Sequence, residues 1–316
     1  FGAVGKRPEV LVWGDSHAKA LLPGLDELFK QHGISGVAAI HSGVPPVAGF
    51  TRKFQEFSPE DLVEYGEKVL LAAAELKVSH VVLAGGMPKG PTIARLKEGG
   101  CKVIAFAPTA GIGRKLVKMG VDGIVIEGME AGGHIGPVST SVLAQEILPV
   151  IREVPVFVAG GIGRGEAIVS YLEMGASGVQ LGTRFVCATE SIAHEKFKQA
   201  FIKASARDAT PSVQYHPDFP VIAVRAIENA ATEEFTRMQK DTVEKVFAGA
   251  MSREEGQLAI EHFWAGSLRK AVIDGDVERG SLMAGQSVGM VEKVQPVAEI
   301  LDALLAQAEA FLRRAA

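Results

Sequence analysis

The chain has 316 residues, 47 % hydrophobic and 22 % charged, which suits one large α/β domain or two ordinary ones. A net charge of -4 and a pI near 6.1 exclude the basic footprint of a nucleic-acid-binding protein. Two cysteines, Cys101 and Cys187, exclude a disulfide framework and point to the cytoplasm, and no apolar run reaches the roughly 18 residues of a membrane span.

The N-terminal "FGAVGKRPEV" lacks a long apolar segment, so no signal peptide is expected. Short β-branched apolar runs then recur at βα spacing: 9–14, 36–41, 80–85, 102–107, 123–128, 156–161 and 178–183. An eighth candidate strand, "KFQEF", lies at 53–57. Between these runs the pattern is helical. "SPEDLVEYGEKVLLAAAEL" opens on Ser58, Pro59 and acidic residues, a helix start, and "GEAIVSYLEMGA" stops at Gly175. The last four runs are continuously apolar, as strands covered on both faces require. Eight parallel strands with intervening helices predict an α/β fold of the (β/α)8 TIM-barrel class. After residue 190 the strand rhythm gives way to helical patterns, and the final "VQPVAEILDALLAQAEAFLRRAA" is amphipathic. The expected organisation is a barrel from 1–190 and 281–316, with a mostly helical substrate-side insertion at 191–280 packed by Phe263 and Trp264.

In such a barrel, chemistry sits at the C-terminal strand ends. Here those ends are small: Gly85-Gly86, Glu127-Gly128, Gly160-Gly161 and Gly182-Thr183. Without a Cβ, backbone amides can approach a planar or anionic ligand. The last two strands are followed by "AGGIGRGEA" and "QLGTRF", the usual position of a phosphate site, with Arg164 and Arg184 as candidate added charge. "GGIGRG" lacks dinucleotide-fingerprint spacing, and no P-loop occurs. "EGMEAGGHIG" surrounds one imidazole, His134, with Gly128, Gly132, Gly133 and Gly136. A histidine on such a loop at the catalytic face is placed to take or give a proton near pH 7. The other histidines have no metal-ligand spacing, His194 and His216 are as consistent with the surface as with the substrate side, and the two cysteines read as core.

Three stretches, "EGMEAGGHIG", "VFVAGGIGRGEAI…LEMGASGVQLGTRFVCATES" and "AGSLRKAVIDGDVERGSLMAGQSVGMV", resemble the FMN-dependent family of nitronate monooxygenases and flavin-dependent enoyl-acyl-carrier-protein reductases. The resemblance covers about residues 85–316. It implies FMN in a TIM barrel and His134 as the catalytic residue. It implies flavin contacts at Gly85, Gly86, Gly132, Gly133, Gly160, Gly161 and the Gln180–Thr183 run with Gly182. Glu127 matches an acidic position near the flavin, and the Met283–Gln286 loop approaches the flavin ring. Met87 stands where family members often have Asn, which removes one flavin hydrogen bond. Two chemistries share these residues. One oxidises an alkyl nitronate with dioxygen. The other passes hydride from NAD(P)H, as candidate co-substrate, through FMN to an enoyl thioester, and the wording of the His134 loop and of "GDVERGSLMAGQ" leans toward this branch. The expected partner is a small-molecule substrate, nitronate or enoyl thioester. Neither a nucleic acid nor a membrane is expected, and a homodimer is the assembly considered.

The first quarter is different. "LVWGDSHAKALLPGLDEL", "IHSGVPPVAGF" and "VSHVVLA" resemble an SGNH-type hydrolase domain, whose nucleophile would fall on Ser16. That family's D-x-x-H block is absent from the chain, so Ser16 lacks its expected base. Ester hydrolysis at Ser16 and a barrel that binds FMN or phosphate without turnover are the rival readings. If the front is foreign sequence, the flavin contact of the first strand has to be rebuilt from Gly14 to Ser16.

Overall fold

The computed structural model describes residues 10–14, 36–40, 70, 73–84, 87–264 and 266–315. Seven parallel strands form the main sheet: β1 (Val10–Gly14), β2 (Gly36–Ile40), β3 (His80–Leu83), β4 (Lys102–Phe106), β5 (Gly123–Glu127), β7 (Val156–Ala159) and β8 (Gly178–Gln180). All seven apolar runs read from the sequence are strands, and "KFQEF" lies outside the described residues, as does Ser58-Pro59. Four helices alternate with the later strands: α1 (Gly90–Glu98), α2 (Ala110–Lys118), α3 (Thr140–Ile147) and α4 (Gly165–Glu173). This is the (β/α)8 TIM-barrel class, with a mostly helical insertion after β8.

The strand order is β2-β1-β3-β4-β5-β7-β8. From β3 onward it follows the sequence, as a barrel requires. At the front, β1 pairs with all five residues of β2 but meets β3 only through Val10↔His80, so β2 lies at one end of the described sheet and β8 at the other. The core lies between sheet and helices. Val81, Val103, Ala105, Ile124, Ile126 and Val158 from the strands meet Ile93, Leu96, Leu116, Leu143 and Ile147 from the helices. β5 is buried at its first four positions, which explains its uninterrupted apolar sequence.

Local chemistry sets the element ends. Thr109 and Ser139 accept the amides of Ile112 and Val142 and so start α2 and α3. The helices α1, α2 and α4 all end in one motif. A left-handed glycine (Gly100, Gly120, Gly175) donates three residues back, and the next amide donates to a carbonyl five residues back. The residue after the glycine, Cys101, Val121 or Ala176, is buried and leads into the next strand.

Beyond β8 come a single turn, α5 (Thr183–Val186), then α6 (Glu195–Lys203), α7 (Ala230–Phe247), α8 (Arg253–His262) and α9 (Ser267–Val272). Phe235, Phe263 and Trp264 cluster in this insertion, with ring centroids 4.9–5.3 Å apart. The amphipathic α10 (Val297–Ala315) returns to pack on α4, where Gln307 Oε1 accepts the Gly165 amide at 2.9 Å. Two features are absent from the sequence reading. The insertion carries strands β9 (Ala209–Pro211) and β10 (Val224–Ile227), and a two-residue strand, β6 (Gly133–His134), pairs with β10.

At Gly175 (φ 102°) a Cβ would meet nothing within 4 Å, so the cost of a side chain there is conformational alone. Gly175→Ala is expected to destabilise the fold by about 1–2 kcal/mol, measured as a lower midpoint in urea with unchanged slope.

Candidate active site

The loop between β5 and α3 carries His134. Its path is set by backbone bonds: Gly128 donates to Ala159 O (3.1 Å), Met129 to Val138 O (2.8 Å) and Ala131 to Gly128 O (3.1 Å). The Glu130 carboxylate accepts the Thr140 amide at 2.8 Å, which places a negative charge on the first turn of α3. The Thr140 hydroxyl lies 2.9 Å from the same carboxylate oxygen and 3.1 Å from the Gly160 carbonyl, so it ties this loop to the one after β7.

Three separated segments then converge on the loop. β10 pairs with β6 in the register Val224↔His134 and Arg225↔Gly133. Residues 282–284 lie along the same β10: Ala226 bridges Met283, and the Ile227 amide donates to Leu282 O at 3.0 Å. The Gln286 amide donates to Glu130 O (2.9 Å), and the Gly285 amide to Thr183 Oγ1 (2.9 Å). His134, Gly132, Gly133, Thr183 and Gln286, proposed together from the sequence, are therefore neighbours through defined bonds. Gln180 closes β8 opposite Ala159, and Glu127 closes β5 opposite the same residue. His134 is solvent-exposed. Gly85, Gly86 and Ser16 lie outside the described residues.

The glycines have a task beyond the one read from the sequence. A Cβ at Gly132 would lie 2.5 Å from the Gly285 amide nitrogen, and one at Gly160 would lie 2.8 Å from Thr140 Oγ1. These two positions let loop pack on loop. Gly182 differs, because a Cβ there meets nothing within 4 Å.

The two arginines proposed as added charge differ in how they are engaged. Arg164 is exposed and paired with Glu166 at 2.8 Å. Arg184 is buried, with one guanidinium nitrogen on Gln295 Oε1 at 3.0 Å and Nη1 without a partner among the described residues. His194 caps α6 by accepting the Lys196 amide, and His216 packs edge-on to Phe219 and Phe247. Both cysteines are in the core, and burial pushes the Cys187 thiol up to about 11. Sequence reasoning missed Glu130, Thr140 and Arg225, whose contacts join segments far apart in the chain. A surface concavity of about 510 Å³ near Asp218, Arg253 and Leu258 lies on the insertion and includes none of the proposed site residues.

The sequence model for nitronate monooxygenase matches residues 40–307. The chain belongs to the nitronate monooxygenase family. It is an FMN-dependent oxidoreductase. A Mycobacterium tuberculosis relative, (3aS,4S,5R,7aS)-5-hydroxy-7a-methyl-1-oxo-octahydro-1H-indene-4-carboxyl-CoA dehydrogenase, is 28 % identical over 81 % of this chain and 78 % of its own. A probable nitronate monooxygenase of Staphylococcus aureus is 32 % identical over 64 % of this chain and 55 % of its own. Among solved structures, FabK from Thermotoga maritima superposes with a TM-score of 0.71 at 26 % identity, over 98 % of this chain and 94 % of that one. The hydrolase resemblance of the front quarter finds no support in these comparisons, and the matched region begins only at residue 40. Among the described residues, no helix is long and apolar enough to cross a membrane, and no cluster of three metal-ligating side chains occurs.

In this nitronate monooxygenase family member, the strand ends fit the phosphate of FMN. Among the described residues, the amides of Gly160, Gly161 and Gly182 donate to no protein acceptor, and Gly182 leaves open space beside it. Glu127 sits at the same rim, where burial raises its carboxyl from 4.5 to about 7. The native state therefore holds a proton on Glu127 between pH 4.5 and 7 that the unfolded chain releases. Its contribution to stability is present below pH 4.5 and is lost as pH rises through 7. That loss amounts to about 3 kcal/mol. Glu127→Gln should therefore raise the unfolding midpoint at pH 8 far more than at pH 5, read by denaturant titration at both values. An equal effect at the two pH values would show that Glu127 is already ionised at pH 5.

Proposed function

We propose that the chain oxidises alkyl nitronates with dioxygen, using FMN held at the barrel mouth and His134 as the acid–base group. The family match across residues 40–307 supports the reaction, and the convergence of β10, the 282–286 segment and Thr183 on the His134 loop supports the residue. The proposed barrel, 1–190 with 281–316, would hold the cofactor, and the insertion at 191–280 would face the small-molecule substrate. No nucleic acid or membrane takes part in this reading, and cytoplasmic location and a homodimer accompany it as expectations.

The residues divide the work. The bare amides of Gly160, Gly161 and Gly182 would bind the phosphate of FMN, with Gly132, Gly133, Gln180, Thr183 and Gln286 beside the rest of the cofactor and Glu127 at the rim; Gly85 and Gly86, outside the described residues, stay as expected flavin contacts. Bound FMN supplies the electron-accepting centre that amino-acid side chains lack. His134 would accept the α-carbon proton of a parent nitroalkane, so that the nitronate that FMN oxidises forms in the site. Its exposure on β6 leaves it open to a ligand entering from the mouth, and the strand pairing limits its movement. A positioned group of this kind contributes typically 10²–10⁴-fold.

A second reading has a specific observation behind it. The superposition on FabK takes in nearly the whole of both chains, and the Mycobacterium tuberculosis relative acts on a carboxyl-CoA compound. Both favour an NAD(P)H-dependent enoyl-thioester reductase.

The two readings separate under anaerobic conditions. The purified protein should be yellow, and an alkyl nitronate should bleach its flavin absorbance while NADH and NADPH leave it unchanged. Bleaching by NAD(P)H alone would replace the first reading with the second. His134→Ala should retain FMN and lose 10²-fold or more in turnover of a nitroalkane or an enoyl thioester. Unchanged turnover would remove the histidine from the mechanism under either reading.

A further inference from the structure

We propose that Arg225 is the positioning residue for His134: its buried guanidinium locks the histidine-bearing loop to the insertion from the face opposite the imidazole. This inference rests on the assignment of His134 as the acid–base group.

Successive side chains on a strand point to opposite faces, and residues in register point to the same face. His134 is in register with Val224, so those two share one face of the small sheet. Arg225 is next to Val224 and points the other way, with only 2 % of its surface exposed. There its Nε donates to the Met129 carbonyl at 2.8 Å, and its Nη1 donates to the Ala209 carbonyl. Met129 belongs to the loop that delivers His134, and Ala209 belongs to β9 in the insertion. One planar guanidinium thus joins two pieces of backbone that β10 itself lies between. Burial disfavours the charged form of the guanidinium, and Glu130 of the same loop opposes that with an attraction.

The strand pairing alone would hold β6 weakly. β6 has two residues, and its register pairs are only Val224↔His134 and Arg225↔Gly133. The Ile135 amide adds one bond, to Ala223 O at 3.0 Å. Gly133 has a left-handed backbone (φ 84°), and neither Gly132 nor Gly133 has a side chain that could anchor the last step to the histidine. The two charge-assisted bonds of Arg225 supply that anchor. A fork of donors can bridge two carbonyls at fixed spacing, and a lysine ammonium on a flexible stem does so with less geometric control. A misplacement of about 1 Å can cost a catalytic group on the order of 10²-fold in rate.

The test is a double-mutant cycle on the FMN-loaded enzyme with a neutral nitroalkane as substrate, whose α-carbon proton His134 would take, or NAD(P)H and a short enoyl thioester if the flavin responds to those. Arg225→Met should lower kcat at least tenfold with KM and FMN content changed less than twofold, and Arg225→Lys should recover part of that loss. In a His134→Ala background, Arg225→Met should add less than twofold, because the group it positions is already gone. A second readout does not depend on turnover. Amide hydrogen exchange at Ile135 should speed up at least tenfold in Arg225→Met and less in Arg225→Lys, with exchange in α2 unchanged. If His134→Ala alone leaves turnover intact, the acid–base assignment fails, and the exchange measurement still decides whether Arg225 holds the loop. Unchanged exchange at Ile135, or a rate loss that adds in full to that of His134→Ala, overturns the proposal. Should Arg225→Met not fold, Arg225→Lys and Arg225→Gln carry the same two readouts.

Discussion

The site depends on one antiparallel pairing, β10 against Gly133–His134. It is the place where the insertion touches the barrel's own strand-end loop through main-chain bonds. It fixes the face on which His134 stands, and it turns Arg225 to the opposite side. It also seats the 282–284 segment, since β10 bonds to that segment along its other residues. From there the chain reaches Gly285 and Gln286, which bind Thr183 and Glu130 in turn. Gly133, His134, Thr183 and Gln286 are thus linked in one connected set of contacts, and displacing β10 would loosen them together.

Glycine makes the set possible, and its role is only partly the one expected from composition. A bare strand end can serve a ligand or another loop. At Gly132 and Gly160 the neighbours are protein atoms, closer than any Cβ could tolerate. At Gly182 the neighbourhood is open. The same sequence feature therefore has two physical causes, and only the three-dimensional surroundings distinguish them. The consequence for the chemistry is that the cofactor-side surface is made of loops already braced against one another, as preorganised binding requires.

Much of the scaffold was legible beforehand because it is written in local chemistry. A continuous apolar run such as "GIVIEG" can only be a strand covered on both sides, and "KMGVDG" spells a helix end, a left-handed glycine and the next strand. The small sheet was not legible. Its strands have two to four residues, too short for a period, and its partners lie far apart in the chain. One trace was present: "VIAVRAI" sets a single arginine among apolar residues, and a charge in such a run needs a buried partner. The order β2-β1-β3 at the front was equally hidden, since spacing says which segments are strands and says nothing of which pair. The Gly-Asp-Ser resemblance was local in the same sense, a short string without the distant base that would give it meaning.

The cations around the mouth lead to a final point about how an anion is held there. Arg164 is engaged by Glu166, Arg184 by Gln295, Arg225 by two carbonyls, and the buried Lys198 by the carbonyls of Ala188 and Ser191 at 2.7 and 2.8 Å. Of these four only Arg164 is paired with a carboxylate; the other three keep their charge and, apart from Arg184 Nη1, direct their bonded donors at neutral protein oxygens. A phosphate bound at the amides of Gly160, Gly161 and Gly182 would be held by backbone dipoles, each contributing modestly and all sensitive to loop shape. Affinity would then follow the geometry of the glycine loops, where Gly160 and Gly161 are half-buried and Gly182 is exposed. The rim thus joins loop shape to charge, with a Glu127 about half protonated at neutral pH, an Arg164 paired with Glu166, and a buried Arg184 whose charge its Gln295 partner leaves intact.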